Sequence, residues 1–175
     1  NLGWLDYDQA QTGRLLAGYL LQRGHRRLAT IMRDVWSIGE HLLHDGISEV
    51  VAAAGLAANA VRVRSAPPER SAVTELARGL LADSAERPTG FICRTPFQAD
   101  CVAQVARGLG LVDSIEAVVC NAPHPVEEAR YTCVVPEIDA IEQGRIIGTL
   151  LKRLRAGDPP EPRSQHVPVR LHQVS

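Results

Sequence analysis

Apolar positions along this chain follow two alternating rhythms, one helical and one extended. From Asp8 to Arg23, Leu15, Leu16, Tyr19 and Leu20 fall at helical spacing, and Gly24 follows where a helix would stop. Arg27 to Met32 (RLATIM) predicts a buried strand. A second helix is expected over Glu40 to Ala54, with Leu43, Ile47, Val50 and Val51 on one face and Gly55 at its end. The alternation continues with a strand at Val61 to Arg64, a Pro-Pro turn and a helix from Glu69 to Ala82. A strand at Gly90 to Cys93, a helix at Phe97 to Gly108 and a strand at Ala117 to Cys120 come next. Asn121 to Pro125 is a turn, and Tyr131 to Val135 is extended. Asp139 and Glu142 read as a capping box opening the last helix, whose end carries Lys152, Arg153 and Arg155 to suit its dipole. Gly157 to Ser164 is a Pro-rich linker, and His166 to Leu171 alternates as one final strand.

Strands separated by helices of this length make βαβ units, and hence a mostly parallel sheet covered on both faces. Ligands of such α/β sheets bind beyond the carboxyl ends of the strands, where strand order reverses. Here those ends are Arg33 to Ser37, Arg94 to Pro96 and Asn121 to Pro123. Trp36, Ser37, Arg94, Thr95 and Asn121 are therefore candidate pocket residues. Trp36 could stack on a ligand ring or cap the core. Arg94 could bind an anion or reach solvent.

Composition narrows the function. With 175 residues, 45% hydrophobic and 22% charged, the chain suits one globular domain, or one lobe and part of another. Its start at Asn1 suggests a piece of something longer. Nineteen basic and twenty acidic residues leave a formal charge of −1, so neither a nucleic-acid backbone nor an anionic membrane is the expected main partner. No apolar run approaches the ~20 residues that span a bilayer, and no signal peptide is evident, so a cytoplasmic protein is expected. Cys93, Cys101, Cys120 and Cys133 form no CxxC pair and read as buried small hydrophobes. His41, His44 and Asp45 cluster on one helix but lack a third ligand at metal spacing, so no metal or cofactor is expected. His25 reads as a helix-end residue, and Gly108-Leu109-Gly110 as a helix-to-strand turn, because it follows a helix and not a strand. No G-x-S-x-G elbow, P-loop or acid pair sits at a strand end, which argues for binding over catalysis.

Several segments in order resemble the effector-binding domain of LacI-type transcription regulators, which have the type I periplasmic-binding-protein-like fold. They are D-Y-D (Asp6 to Asp8), G-H-R-R-L-A-T-I (Gly24 to Ile31), D-G-I-x-x-V-x-x-A-G (Asp45 to Gly55) and R-P-T-G-F-I-C (Arg87 to Cys93). Toward the end come E-Q-G-R-x-I-G-x-L-L (Glu142 to Leu151), G-D-P-P (Gly157 to Pro160) and V-P-V-R-L (Val167 to Leu171). The resemblance implies a doubly wound α/β lobe. Residues 1–135 would be the second effector-binding lobe, and 136–175 the crossover helix and strand returning toward a first lobe. It further implies a ligand-sensing, dimerising repressor domain. Its partners would be a small-molecule effector and a second copy, with DNA reached only through a headpiece absent from this chain.

The same resemblance makes Tyr7, Leu43 and Ala122 site positions besides Trp36, Ser37, Arg94, Thr95 and Asn121. At three of these the sequence departs from the family. Leu43 stands where an anchoring Arg is usual, Thr95-Pro96 replaces Asn-Asp, and Cys120-Asn121-Ala122 replaces Gly-x-Asp. A sugar whose hydroxyls are buried without partners loses ~1–3 kcal/mol for each, so the expected effector is sugar-like or less polar, and a ligand less polar than the usual sugar, or none, becomes plausible. The alternatives are an interaction module that has kept the fold without a ligand, and an enzyme domain on the same scaffold.

Overall fold

The computed structural model describes residues 4–35, 37–122, 125–157 and 164–174. In chain order these form β1 (Trp4–Tyr7), α1 (Gln9–Gln22), β2 (Leu28–Arg33), α2 (Ile38–Ala53), β3 (Val61–Ala66) and α3 (Arg70–Ala82). There follow β4 (Gly90–Cys93), α4 (Pro96–Gly108), β5 (Glu116–Val119), β6 (Cys133–Pro136), α5 (Ala140–Ala156), β7 (Ser164–Val167) and β8 (Val169–His172).

The main sheet has six strands in the order β3-β2-β4-β5-β6-β8. The first five run parallel, and β8 closes the edge antiparallel to β6. Alternation along the strands sorts residues to two faces. Leu28, Met32, Ile92, Val118 and Val134 pack with α1 and α2, whereas Ala29, Ile31, Phe91, Val119 and Val135 pack with α3 and α4. Both faces are covered, as a parallel sheet requires.

Helices α1 and α2 meet backbone to backbone. A Cβ at Gly13 would lie 2.3 Å from the Leu43 carbonyl oxygen, and one at Gly46 2.0 Å from that of Ala10. Only glycine fits at that crossing. Gly24 (φ 91°) and Gly55 (φ 70°) end the two helices in the left-handed conformation that a side chain disfavours. The four cysteines are free and buried, and burial raises the thiol pKa of Cys93 well above its usual range. The Gly108–Gly110 segment is a helix-to-strand turn, leading from α4 through a 3-10 turn to β5.

Three expectations need correcting. The single final strand is two: β7 pairs with β1 in a separate two-stranded sheet, and after Pro168 the chain joins the main sheet as β8. Proline has no amide hydrogen to donate to a ladder, so pairing breaks there. Helix α2 begins at Ile38, one half-turn before the expected Glu40, because Ser37 and Glu40 form a capping box. At α5 the expected box is only half made: Asp139 accepts from the Glu142 amide, while the Glu142 carboxylate turns to Arg145. No described residue of α5 is buried. The linker at 158–163 lies outside the described residues, as do the turn positions 123–124. No helix among the described residues is long and apolar enough to cross a membrane.

Candidate functional site

Strand order reverses at β2. The chain leaves β2 through α2 to β3 on one side, then crosses under through α3 to β4 on the other. Parallel register sets Ile31 opposite Cys93, so the carboxyl ends of β2 and β4 lie side by side at that switch point. The Cys120 amide donates to the Cys93 carbonyl at 2.9 Å, which brings the end of β5 alongside.

A polar cluster occupies this edge. The capping box holds Glu40 in the first turn of α2, where its side chain is completely buried. Its Oε2 accepts from the Ser37 amide at 3.1 Å and from the Ser37 hydroxyl. Its Oε1 accepts from Arg33 Nε at 2.7 Å and lies 3.4 Å from Arg94 Nε. The Arg94 side chain is 8% exposed and donates from Nη1 to Gln9 Oε1 at 2.9 Å. Gln98 Oε1 accepts from the Arg94 backbone amide at 2.8 Å. Burial would raise the Glu40 pKa, but the Ser37 hydroxyl, the Arg33 guanidinium, the Ser37 amide and Arg94 together hold it below the usual carboxylate range. Beside the pair, burial pushes the Cys120 thiol up to about 11, although Arg94 pulls it down.

At the opposite edge Glu116, at the start of β5, accepts from Arg23 Nε at 2.6 Å and from the Tyr19 hydroxyl at 3.0 Å. Its Oε2 is 2.9 Å from His25 Nε2, and His25 Nδ1 is 3.0 Å from Thr89 Oγ1. Hydrogen bonds from Arg23, His25 and Tyr19 outweigh desolvation and lower the Glu116 pKa. These contacts tie the end of α1 to β4 and β5. His25 is thus part of a fold-holding network.

Residues 17–173 match the family of periplasmic binding protein-like domains. The chain belongs to that family. No curated protein matches it in sequence. Among solved structures it is similar to a LacI-family transcriptional regulator from Rhizobium etli, with a TM-score of 0.77 and 24% identity over 98% of this chain and 64% of that one. It is likewise similar to a LacI-family regulatory protein from Chloroflexus aggregans, with a TM-score of 0.80 and 22% identity over 98% of this chain and 62% of that one. A LacI-family regulator from Enterococcus faecium with bound ribose gives a TM-score of 0.78 and 15% identity over 97% of this chain and 63% of that one. The chain therefore spans less than two thirds of the length of each of these structures. Likeness at this identity establishes the shared fold.

Within this periplasmic binding protein-like domain, Ser37, Arg94, Thr95 and Asn121 come to the same edge of the sheet. Ser37 and Thr95 are exposed helix caps, and Thr95 Oγ1 accepts from the Gln98 amide at 3.3 Å. Asn121 is exposed, and Ala122 is half-buried against the α3–α4 face. Tyr7 is half-buried at the end of β1 and packs on the α1–α2 face. Leu43 does not line the edge: it is fully buried between α1 and α2, where an apolar side chain belongs. Arg94 takes neither expected course, since it turns inward to Glu40 and Gln9. Trp36 lies outside the described residues. His44 Nδ1 is 4.0 Å from Asp45 Oδ1, and no group of three or more potential ligands converges among the described residues.

Glu40, Gln9 and Gln98 were missed from sequence. Ser37-x-x-Glu40 is the capping-box signature and could have revealed the first. Nothing local marks Gln9, whose partner is 85 positions away.

Proposed function

We propose that this chain is the effector-sensing and dimerising part of a LacI-type transcriptional repressor that binds a small molecule and transforms none. Residues 1–135 act as the second lobe, and 136–175 return toward a first lobe. The observation that carries the reading is the switch point, where the ends of β2, β4 and β5 present Ser37, Thr95 and Asn121 over a buried polar cluster. That is the place where an open α/β sheet receives a ligand.

The second copy enters through α5. Ile141, Ile147 and Leu151 are 69%, 45% and 60% exposed. Burying each would contribute about 1.5–3 kcal/mol, and an isolated helix of this length is only marginally stable. Such a face is suited to a partner surface in a homodimer. DNA contact falls to a helix-turn-helix outside these residues, in keeping with the formal charge of −1. A cytoplasmic location follows from that role.

Two measurements test this. In mobility-shift assays at physiological salt, the complete gene product should bind a palindromic operator, and residues 1–175 alone should show no sequence-dependent binding. Sequence-specific retardation by residues 1–175 would contradict the assignment. Sedimentation at low micromolar concentration should give a dimer or larger; a monodisperse monomer of 19.0 kDa with α5 ordered would refute the dimer.

A further inference from the structure

Around the switch point, the cationic groups are already engaged. Arg33 and Arg94 both face the single Glu40 carboxylate, and Arg94 also grips Gln9. Asp6 accepts from the Tyr7 amide at 2.8 Å and from Gln9 Nε2 at 3.5 Å, and Asp34 is exposed at the end of β2. The charges of Arg33 and Arg94 are matched by those of Glu40 and Asp6, with Asp34 in excess on the acidic side. An anion entering here would find no uncommitted buried cation among the described residues. An amine would find its buried carboxylate held by two guanidinium groups, with the solvent-screened carboxylates of Asp6 and Asp34 to offer. At the edge itself, Ser37, Thr95 and Asn121 are exposed polar groups and Ala122 offers none, too few partners for the several hydroxyls of a polyol. Close to Ser37, Val35 after the end of β2 and Ile38 at the first position of α2 are 74% and 69% exposed. These are large apolar groups held in water at the edge where a ligand arrives.

We propose that the effector is an uncharged, mainly apolar molecule, aromatic or branched, that covers Val35 and Ile38 and forms one or two neutral hydrogen bonds with Thr95 or Asn121. This rests on the sensor reading above and specifies its ligand class. The Glu40–Arg94 pair acts as a specificity element by withholding its charge.

Isothermal titration of the complete gene product against benzamide, indole, benzoate, benzylamine and D-ribose tests the class. Benzamide or indole should bind at least tenfold more tightly than the other three, and Val35→Asp should weaken that binding at least tenfold. Glu40→Gln, which frees Arg94, should raise benzoate affinity at least tenfold. If Glu40→Gln does not fold, the Glu40→Leu/Arg94→Leu variant should keep the wild-type ranking. Preference for ribose, benzoate or benzylamine would overturn the ligand class and leave the sensor reading standing. Binding of none of the five, with operator binding intact, would overturn both.

Discussion

The two edges of the sheet each hold a glutamate among arginines, yet the two clusters are built for different ends. Glu116, at the amino edge, is 22% exposed, and its Arg23 partner is 56% exposed. Glu40, at the carboxyl edge, is fully buried, and Arg94 beside it nearly so. Water can replace a lost partner at the first edge; at the second it reaches Arg33, which is 55% exposed, but not the contact between Arg94 and Glu40. A half-exposed ion pair contributes little, whereas a buried charge that loses its partner has no substitute. The amino-edge cluster therefore fastens the end of α1, while the carboxyl-edge cluster fixes the electrostatics of the candidate site.

The largest effect should come from breaking the buried pair on one side. Glu40→Ala leaves Arg94 enclosed without its carboxylate and should cost about 3–5 kcal/mol in urea melts. Replacing both by leucine should recover most of that loss. Gly46→Ala should cost about 2–3 kcal/mol, because the new methyl meets the Ala10 carbonyl and forces α1 from α2. Gln9 and Glu40 come from those two helices, so the carboxyl-edge contacts should loosen with them, detectable as faster amide exchange at Arg94 than at Glu116. Glu116→Gln, by contrast, should cost only about 1 kcal/mol, and less in high salt.

Acid should act on both edges in the same direction. Each carboxyl lies below its ordinary value of 4.5 in the folded chain. The unfolded state therefore binds these protons first as pH falls, so their stabilisation is complete above about 4.5 and is lost as pH drops through the folded values. Denaturation curves from pH 7 to 3 should show a shallower acid slope for Glu40→Gln than for wild type. An unchanged slope would mean that Glu40 is not held in its charged form.

Much of the scaffold was legible because burial writes itself into local periodicity. Leu16, Leu20, Leu43, Ile47 and the β4 run are buried as their spacing predicts. The strand-end location of the candidate site followed from the βαβ pattern alone. What stayed hidden depends on pairing across long separations. β1 and β7 form their own small sheet, with partners 160 positions apart, and no local pattern announces it. Arg94 looked like a residue at the mouth because its tether, Gln9, lies at the start of another helix. Leu43 was assigned to the site by resemblance, although its apolar chemistry already placed it on the buried face of α2.

A double-mutant cycle on the two edges tests the central claim most directly. Coupling energies for Glu40–Arg94 and Glu116–Arg23 would be measured from single and paired leucine substitutions in chemical unfolding. The buried pair should show a coupling of about 2–3 kcal/mol and the exposed pair less than about 1 kcal/mol. Equal couplings, or a larger value for Glu116–Arg23, would contradict the view that the carboxyl edge is closed by its own charges.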